Sequence, residues 1–235
     1  LQNLHMYVPD MPSAYKLWVN ENLKAQNGTP GKSPATEQPD FRPHIIHIMN
    51  HSGVLDIVIH VSNYHYREGG IWYSLRVTDD SGLFQLHEKS VIFAVFFGAI
   101  LIAIGLINLA LFVSRTKELT ALYFGLLCIT VGLRRLLIDE RVLYLFDFTS
   151  WQVLQRLEHL CFYLTLPFFL GFFSALFRQH VPTWSTRVSW LSTVPFLFIC
   201  IFFPNKIYTE MNIPFQILVI ISVSWVLVLY LRMIK

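Results

Sequence analysis

The stretch from Asn63 to Trp72, with the sequence NYHYREGGIW, holds the densest group of side chains that could bind a ligand in the N-terminal part of the chain. Trp and Tyr rings combine flat apolar faces with hydrogen-bonding edges, which suits a sugar ring. The paired glycines Gly69 and Gly70 permit positive φ and a close approach of the backbone to a ligand. The stretch predicts a small-molecule site. The alternative is a structural turn between two strands, with Trp72 in the core.

Histidines are frequent in the same part of the chain, but their spacing does not predict a metal site. They are His5, His44, His47, His51, His60, His65 and His87. A metal site needs several ligands on one face, whereas the odd spacing of His44 and His47 puts them on opposite faces of a strand. The chain also has no phosphate-binding Gly-rich loop, no HExxH and no GxSxG. We therefore predict no metal, no cofactor and no catalytic residue in this chain.

Four ionisable residues fall near the ends of long apolar runs in the C-terminal part: Arg134, Arg135, Glu158 and His159. Charged groups are costly in lipid, so they tend to pair or to face a cavity. We predict an ion pair between one of the two arginines and Glu158. The alternative is that their long side chains reach the membrane surface separately.

Asn108 is the one strongly polar residue in the first long apolar run. It is accompanied by Gly98, Gly105 and Ala110. Small residues let membrane helices approach each other closely. We expect Asn108 to lie in a packed helix contact, and we keep it as a candidate polar site within the membrane.

Composition divides the chain into two parts. Of its residues, 54% are hydrophobic and 14% are charged, against about 25% charged in a typical soluble domain. Nearly all of the apolar excess follows residue 90. Residues 1–88 have a net charge of −3 and residues 89–235 a net charge of +6, with no cluster of Lys and Arg. This excludes a nucleic-acid-binding protein.

The N-terminal part, residues 1–88, is predicted to be an antiparallel β-sandwich outside the cytoplasm. Short alternating runs separated by turn-rich loops are typical of this fold. The predicted strands are 15–19, 23–25, 44–49, 54–61 and 71–77, with a turn at 20–22, a loop at 26–43 and irregular structure at 1–14. These strands are few for a sandwich, and no secretory signal precedes them. We expect the chain to be a fragment whose first strands lie upstream.

Residues 89–235 are predicted to form a bundle of membrane-spanning helices. About 20 apolar residues span the hydrocarbon core, and five runs qualify, at about 91–113, 119–138, 157–177, 188–203 and 213–231. With residues 1–88 outside, the cytoplasmic connections carry Arg115, Lys117, Arg178, Arg187, Arg232 and Lys235. This excess of positive charge agrees with the usual orientation bias. We therefore predict a multi-pass protein of the inner or plasma membrane.

Several segments resemble bacterial seven-transmembrane receptors with diverse intracellular signalling modules. In the N-terminal part they are residues 17–20, residues 27–32 and Asn63 running into the Gly-Gly-Ile-Trp segment. In the membrane part they are residues 98–108, 122–124 and 151–158. The resemblance implies a jelly-roll sensor domain similar to carbohydrate-binding modules. Members carry seven spans and a cytoplasmic output domain such as a kinase or a cyclase, whereas five spans are present here.

The predicted function is therefore a membrane-bound signalling receptor. A carbohydrate or a similar small molecule would bind outside, and the helices would relay the signal to a cytoplasmic module, with membrane lipid around them and a homodimer left open. The candidate ligand-binding residues are Trp18, Asn20, Asn63, Tyr64, His65 and Trp72. The alternative is a transporter or channel with an accessory outer domain, in which the ionisable residues near the ends of the apolar runs would line a path.

Overall fold

The computed structural model describes residues 4–48, 54–115, 118–145 and 150–234. Its N-terminal part contains antiparallel strands arranged in two sheets. The strands are β1 (Leu4–Val8), β2 (Ala14–Val19), β3 (Asn22–Asn27), β4 (His44–Ile48), β5 (Ile57–Ser62) and β6 (Arg76–Thr78). One sheet has the order β4-β1-β6 and the other β3-β2-β5. The predicted β-sandwich followed by apolar helices is confirmed.

The sandwich is held by one apolar core with contributions from both sheets. Alternation along β1 and β2 turns every second side chain inward. The buried residues are Met6, Val8, Met11, Tyr15, Leu17, Val19, Ala25, Ile46 and Ile48. Leu4, Leu55, Ile59 and Leu75 pack against them from the margins.

The predicted hairpin between β2 and β3 is confirmed. Asn20 and Glu21 both have positive φ, at 47° and 65°, so the two-residue loop has the left-handed backbone that matches the twist of the flanking strands. Asn20 tolerates this conformation better than most residues because its short side chain can bond locally. β4 is likewise present at its predicted position up to Ile48, while the predicted last residue, Met49, lies outside the described residues.

Strand β1 was missed, because residues 1–14 were expected to be irregular. Its sequence, LHMYV, places Leu4, Met6 and Val8 on one face. β1 is the central strand of its sheet and pairs antiparallel with both β4 and β6. A five-residue strand has only three inward positions. The alternation is therefore short, and the proline-containing residues that follow do not continue it.

The predicted strand over 71–77 is wrong in extent. Only Arg76–Thr78 forms a strand, paired with His5, Met6 and Tyr7. Ile71, Tyr73 and Val77 are exposed rather than inward, and only Leu75 packs against the core. An alternation of apolar residues does not show whether a neighbouring strand offers its backbone groups. Residues 71–75 pair with no strand in the part of the chain that the structure describes.

The predicted strand over 54–61 is also shifted. β5 begins at Ile57 and is an edge strand of its sheet. Its residues Ile57 and Val61 stay exposed, while Ile59 reaches the core. An edge strand is covered on one side only, so its inward face is incompletely buried.

Long apolar helices follow the sandwich. A short helix α1 (Asp80–Leu83) and a π-helical turn (Phe84–Glu88) lead into α2 (Lys89–Ser114). Then come α3 (Leu119–Ile138), a 3-10 turn (Asp139–Leu145), α4 (Trp151–Leu176), α5 (Thr183–Phe202), α6 (Asn205–Glu210) and α7 (Asn212–Ile234). Five helical stretches within the described residues are long and apolar enough to span a membrane, as predicted.

The chain forms two compact units. The first comprises residues 1–95 together with 136–155, and the second comprises 96–135 together with 156–235. The first unit therefore contains the sandwich, the start of α2, and the connection from α3 to α4. This grouping differs from a simple division at residue 88, because a segment more than forty residues later in the sequence joins the sandwich.

In the second unit, α2 and α3 meet along glycines. A Cβ placed on Gly105 would lie 2.8 Å from the carbonyl oxygen of Gly125, and one on Gly125 would lie 2.9 Å from that of Gly105. A Cβ on Gly132 would lie 2.9 Å from the carbonyl oxygen of Gly98. Seven residues separate the glycines on each helix, which is two helical turns, so they share one face. Ala110 is exposed and lies outside this glycine seam.

Candidate functional site

A polar cleft of about 400 Å³ lies in the first unit, within the size range of small-molecule sites. Its walls come from β1 and the residues after it, from the segment leading into β6, and from the turn after α3. The lining residues are Tyr7, Pro9, Asp10, Pro43, Trp72, Tyr73, Ser74, Arg76, Ser90, Ile138, Asp139, Glu140 and Arg141. The cleft thus joins groups that are distant in sequence and differ in charge.

The turn after α3 has an unusual backbone. Glu140 (φ 50°, ψ 14°) and Arg141 (φ 50°, ψ 42°) are consecutive left-handed residues, and neither is glycine. Each such residue costs of order 1–3 kcal/mol unless its surroundings hold it in place. The side chains of both residues make bonds within the first unit, and these bonds stabilise the turn.

Arg141 is anchored by Asp10. Its Nε donates to Asp10 Oδ2 at 3.0 Å, and its Nη1 donates to the carbonyl oxygen of Leu137 at 3.1 Å. The guanidinium also lies over the rings of Phe41 and Tyr144, at 5.2 and 5.5 Å from their centroids. Because Arg141 is almost fully buried, this charge depends on its partners for solvation.

Glu140 is held by two groups from the N-terminal part of the first unit. The hydroxyl of Tyr7 donates to Glu140 Oε2 at 2.9 Å, and His87 Nδ1 lies 2.9 Å from the same oxygen. Burial, followed by the neighbouring Glu140 carboxylate, raises the pKa of Tyr7 well above its ordinary value. Tyr7 therefore remains a neutral donor over the whole physiological range.

The remaining wall of the cleft is more open. Trp72 is 38% exposed and Tyr73 is 59% exposed. The Trp72 ring rests against Tyr66, with 5.6 Å between ring centroids. Arg76, in β6, is also exposed. The alternative in which Trp72 belongs to the core is wrong, since a third of its surface faces solvent at the cleft.

Asn63, Tyr64 and His65 hold two loops together on another part of the sandwich. Asn63 closes a turn, because its side chain accepts from the amide of Tyr66 at 3.0 Å and donates to that residue's carbonyl at 2.9 Å. Tyr64 donates its hydroxyl to the carbonyl of Lys32 at 2.9 Å, and His65 Nε2 lies 3.0 Å from the carbonyl of Pro34. These contacts support a structural turn for this part of the stretch.

Trp18 and Asn20 belong to the β2–β3 hairpin. The Trp18 ring packs on His60, with 4.6 Å between centroids. The backbone N–H of Asn20 donates to the carbonyl oxygen of Asp56 at 2.9 Å, and the side-chain oxygen of Asn20 accepts from the backbone N–H of Asp56 at 3.0 Å. Asn20 also lines a smaller cavity of about 250 Å³ together with Val19, Asn22, Lys24, His47, Ile48 and Leu55.

The six candidate ligand-binding residues are therefore not brought to one place. Ala14, at the start of β2, pairs with Ser62, whereas Val19, at its end, pairs with Ile57. Asn63 and Asn20 consequently lie at opposite ends of β2, about 20 Å apart at the usual rise of a strand. Of the six, only Trp72 lines the larger cleft.

Sequence reasoning missed Tyr7, Asp10, Arg76, Glu140 and Arg141 as a group. One signal could have found part of it. Asp139-Glu140-Arg141 is a run of three charges directly after an apolar helix, and such a run at a span end has to be solvated or paired. Nothing in the spacing connects this run to residues 7–10, about 130 positions earlier.

The predicted ionisable residues of the bundle lie on α3 and α4 in the second unit. The Arg134 guanidinium sits over the Phe162 ring at 4.6 Å, and that of Arg135 over the Phe97 ring at 5.8 Å. Glu158 and His159 are buried, and His159 Nε2 lies 3.3 Å from Asn212 Nδ2. Their pairing remains a prediction.

Asn108 donates its side-chain amide to the carbonyl of Ile104 at 2.9 Å, in its own helix. This satisfies one donor without a second helix. Asn108 also borders a shallow cavity of about 290 Å³ with residues of α3 and α4, among them Phe124 and Phe172. Its role within the membrane remains a prediction.

Among the described residues, no group of three or more His, Cys, Asp or Glu side chains lies in a position to hold a metal ion. His51 lies outside those residues. His5 instead bonds to Asp80 at 2.6 Å and packs edge-on against His47.

Comparison with known proteins identifies the membrane part. No curated protein and no solved structure matches the chain. The model of the 7TM diverse intracellular signalling family matches residues 89–235, which is more than half of the chain. This match agrees with the multi-pass helices described above. The chain therefore belongs to the 7TM diverse intracellular signalling family of membrane receptors.

Proposed function

We propose that this chain is the input and membrane part of a receptor in the inner or plasma membrane of a bacterium. The sandwich lies outside and binds a carbohydrate or a similar small ligand, and the helices relay binding to a cytoplasmic signalling module. Family membership supports the signalling role. The positive charges on the short connections on one side of the helices support the orientation.

The proposed relay is supported mainly by the hydrogen bonds that hold the turn after α3. Glu140 and Arg141 bond to Tyr7, His87 and Asp10, which belong to the N-terminal part of the chain. A ligand shifts a conformational equilibrium only through its different affinities for the two states. A ligand in the cleft touches the residues that hold this turn, so its binding favours one arrangement of the ends of α3 and α4.

The aromatic and polar lining of the cleft supports a carbohydrate ligand. Exposed Trp and Tyr rings present flat faces to a sugar, and the carboxylates, guanidinium groups and hydroxyls around them can bond to its hydroxyl groups. The likeness of the sandwich to carbohydrate-binding jelly rolls is part of the same proposal. Membrane lipid, a cytoplasmic effector and a second copy of the chain are the partners we propose.

A transporter is the second candidate, and the burial of Glu158 and His159 favours it. Ionisable groups inside a membrane bundle often mark a substrate path. The two functions differ in one measurable property, because a transporter moves its substrate across the bilayer and a receptor does not.

The test uses the full chain in two preparations. In nanodiscs, a panel of mono- and disaccharides is screened by tryptophan fluorescence, and a receptor for sugars gives a saturable change with at least one member. In liposomes, uptake of that same sugar is measured with radiolabel, and a receptor gives none above the protein-free control. A panel with no response contradicts the carbohydrate ligand, and saturable uptake favours the transporter.

A further inference from the structure

We propose that the cleft between the Trp72–Arg76 segment and the Glu140–Arg141 turn binds an acidic sugar, a pyranose ring bearing a carboxylate. Arg76 binds the carboxylate, and Trp72 and Tyr73 pack on the ring. This inference rests on the proposed function and names the site and the ligand class for it.

The charges of the cleft distinguish Arg76 from its neighbours. Arg141 is engaged by Asp10 and by the carbonyl of Leu137. Glu140 is engaged by Tyr7 and His87. In the part of the chain that the structure describes, the Arg76 side chain has no hydrogen bond or ion pair, although it lines the cleft. It is therefore the cation available to a ligand.

A guanidinium group suits a carboxylate in particular. Its planar donors match the two carboxylate oxygens, and such charge-assisted bonds are about twice as strong as neutral ones. In a half-enclosed cleft the pair is also screened less by solvent than on an open surface. A neutral sugar would leave the charge of Arg76 without a partner.

The aromatic wall adds the second requirement, a ring. Trp72 is fixed by its contact with Tyr66, so its exposed part can receive a ligand without losing much side-chain entropy. Tyr73 beside it is mostly exposed. A carboxylate without a ring, such as propionate, would use Arg76 alone and leave both aromatic faces in water.

The smaller cavity at the β2–β3 hairpin provides an internal comparison. It also carries one cation, Lys24, and polar groups from Asn20 and Asn22. However, none of the described residues that line it is Trp, Tyr or Phe. Lys24→Gln removes the same charge from the sandwich as Arg76→Gln but leaves the cleft intact, so it is the matched control.

Equilibrium dialysis of the full chain in nanodiscs tests the proposal. The probes are D-galacturonate, D-galactose and propionate, each with wild type, Arg76→Gln, Tyr73→Ala and Lys24→Gln. We expect D-galacturonate to bind to wild type about tenfold or more tightly than the other two probes. Arg76→Gln should reduce this preference to near unity, Tyr73→Ala should weaken D-galacturonate severalfold, and Lys24→Gln should bind as wild type does.

Four outcomes overturn the proposal. They are equal binding of D-galactose and D-galacturonate to wild type, equal binding of propionate and D-galacturonate, unchanged D-galacturonate binding by Arg76→Gln, and no binding of any probe. Equal binding of propionate would show that the ligand needs no ring. Unchanged binding by Arg76→Gln would show that the site lies elsewhere. Where the first outcome comes with saturable D-galactose binding of equal affinity in all four proteins, the carbohydrate receptor stands and only this site is refuted.

Discussion

At the scale of single residues, the buried guanidinium of Arg141 depends on its neighbours for solvation. Its charge is balanced by Asp10 at 3.0 Å, and it lies over the Phe41 and Tyr144 rings. Removing one partner of a buried pair leaves the other charge without solvation, which costs more than the pair contributes by itself.

Asp10→Asn should therefore destabilise the first unit by about 2–3 kcal/mol. The expected readout is faster hydrogen exchange in β1 and in the Asp139–Leu145 turn of the full chain. Glu68→Gln is the matched control, because it breaks the more exposed Arg67–Glu68 pair and should change stability by less than about 1 kcal/mol. Equal effects of the two substitutions would show that the Asp10–Arg141 pair does not hold the turn.

His44 gives the sandwich a dependence on pH. Burial lowers the pKa of His44 below the ordinary value for histidine, about 6.5, despite a smaller opposing effect from Asp40. The unfolded chain then takes up a proton at a pH at which the folded chain does not, so stability is full above about pH 6.5 and falls as the pH drops below it.

His44→Gln should remove this loss of stability. Hydrogen exchange of β2 and β4 compared at the same pH isolates the effect from intrinsic exchange rates. We expect wild type to lose protection relative to His44→Gln between pH 7 and pH 5. A constant difference between the two proteins over that range would contradict the assignment.

Residue types alone did not indicate which of the candidate residues of the N-terminal part line the cleft. Trp72, predicted from its ring, lines the cleft, whereas Asn63, predicted from its amide, uses that amide to close its own turn. An amide serves a turn and a ligand through the same atoms. The position of the Tyr66 backbone relative to Asn63 decides which of the two roles the amide has.

At the scale of elements, the glycine seam explains the close approach of α2 and α3. Gly105 and Gly125 face each other so closely that a methyl group on either would meet a backbone carbonyl. Because a backbone carbonyl cannot move aside as a flexible side chain can, a methyl group at either position would force the two helices apart.

Gly125→Ala should therefore destabilise the second unit by about 1–3 kcal/mol. The measurement is the thermal midpoint of unfolding of the full chain in detergent. It is monitored as the loss of the monodisperse peak in size-exclusion chromatography. Ala110→Leu adds a larger side chain at an exposed position of α2 and should leave the midpoint nearly unchanged. A midpoint that falls for Ala110→Leu but not for Gly125→Ala would refute the seam.

The predicted pair between Glu158 and an arginine is a property of α3 and α4. Arg134 is placed over Phe162, on the helix that carries Glu158, whereas Arg135 is placed over Phe97 on α2. Arg134 is therefore the better candidate partner.

Glu158→Arg should reduce the yield of folded protein, because two like charges would meet in a buried place. Adding Arg134→Glu should restore part of that yield, and adding Arg135→Glu should restore less. Fluorescence-detected size-exclusion chromatography of tagged variants measures the yield. Absence of rescue by either partner would favour separate solvation of these charges.

Sequence patterns identified the long helices and several strands, but they missed β1 and misplaced the bounds of β6. The long apolar helices were predictable because each must satisfy its backbone within lipid, which leaves a composition signal of about 20 residues. β1 and β6 have five and three residues, too few for periodicity to separate from chance. Their pairing depends on strands that lie about 40 and 70 positions away in sequence.

At the scale of the whole molecule, the division into two units is the feature that sequence could not provide. Composition places a boundary near residue 88, but the α3–α4 connection belongs with the sandwich. Single charged and aromatic contacts, such as Tyr7 with Glu140 and Phe41 with Trp151, make this connection. Contacts of this kind produce no periodic pattern in the amino-acid sequence.

This grouping gives the proposed receptor a physical route from ligand to helix. The cleft residues Asp10 and Tyr7 hold the turn that follows α3. Left-handed backbone at two consecutive residues that are not glycine needs contacts of this kind to hold it. A ligand that strengthens or weakens them changes the turn directly.

Hydrogen exchange of the full chain in nanodiscs, with and without a sugar that binds, is the most direct test of this coupling. We predict a change in exchange both at Trp72–Thr78 and across Asp139–Leu145 with the adjoining end of α3. In His87→Gln, which removes one bond to Glu140 without altering a cleft-lining residue, the sugar should still bind, but the response of the turn should shrink. A change confined to the strands in wild type would contradict the account.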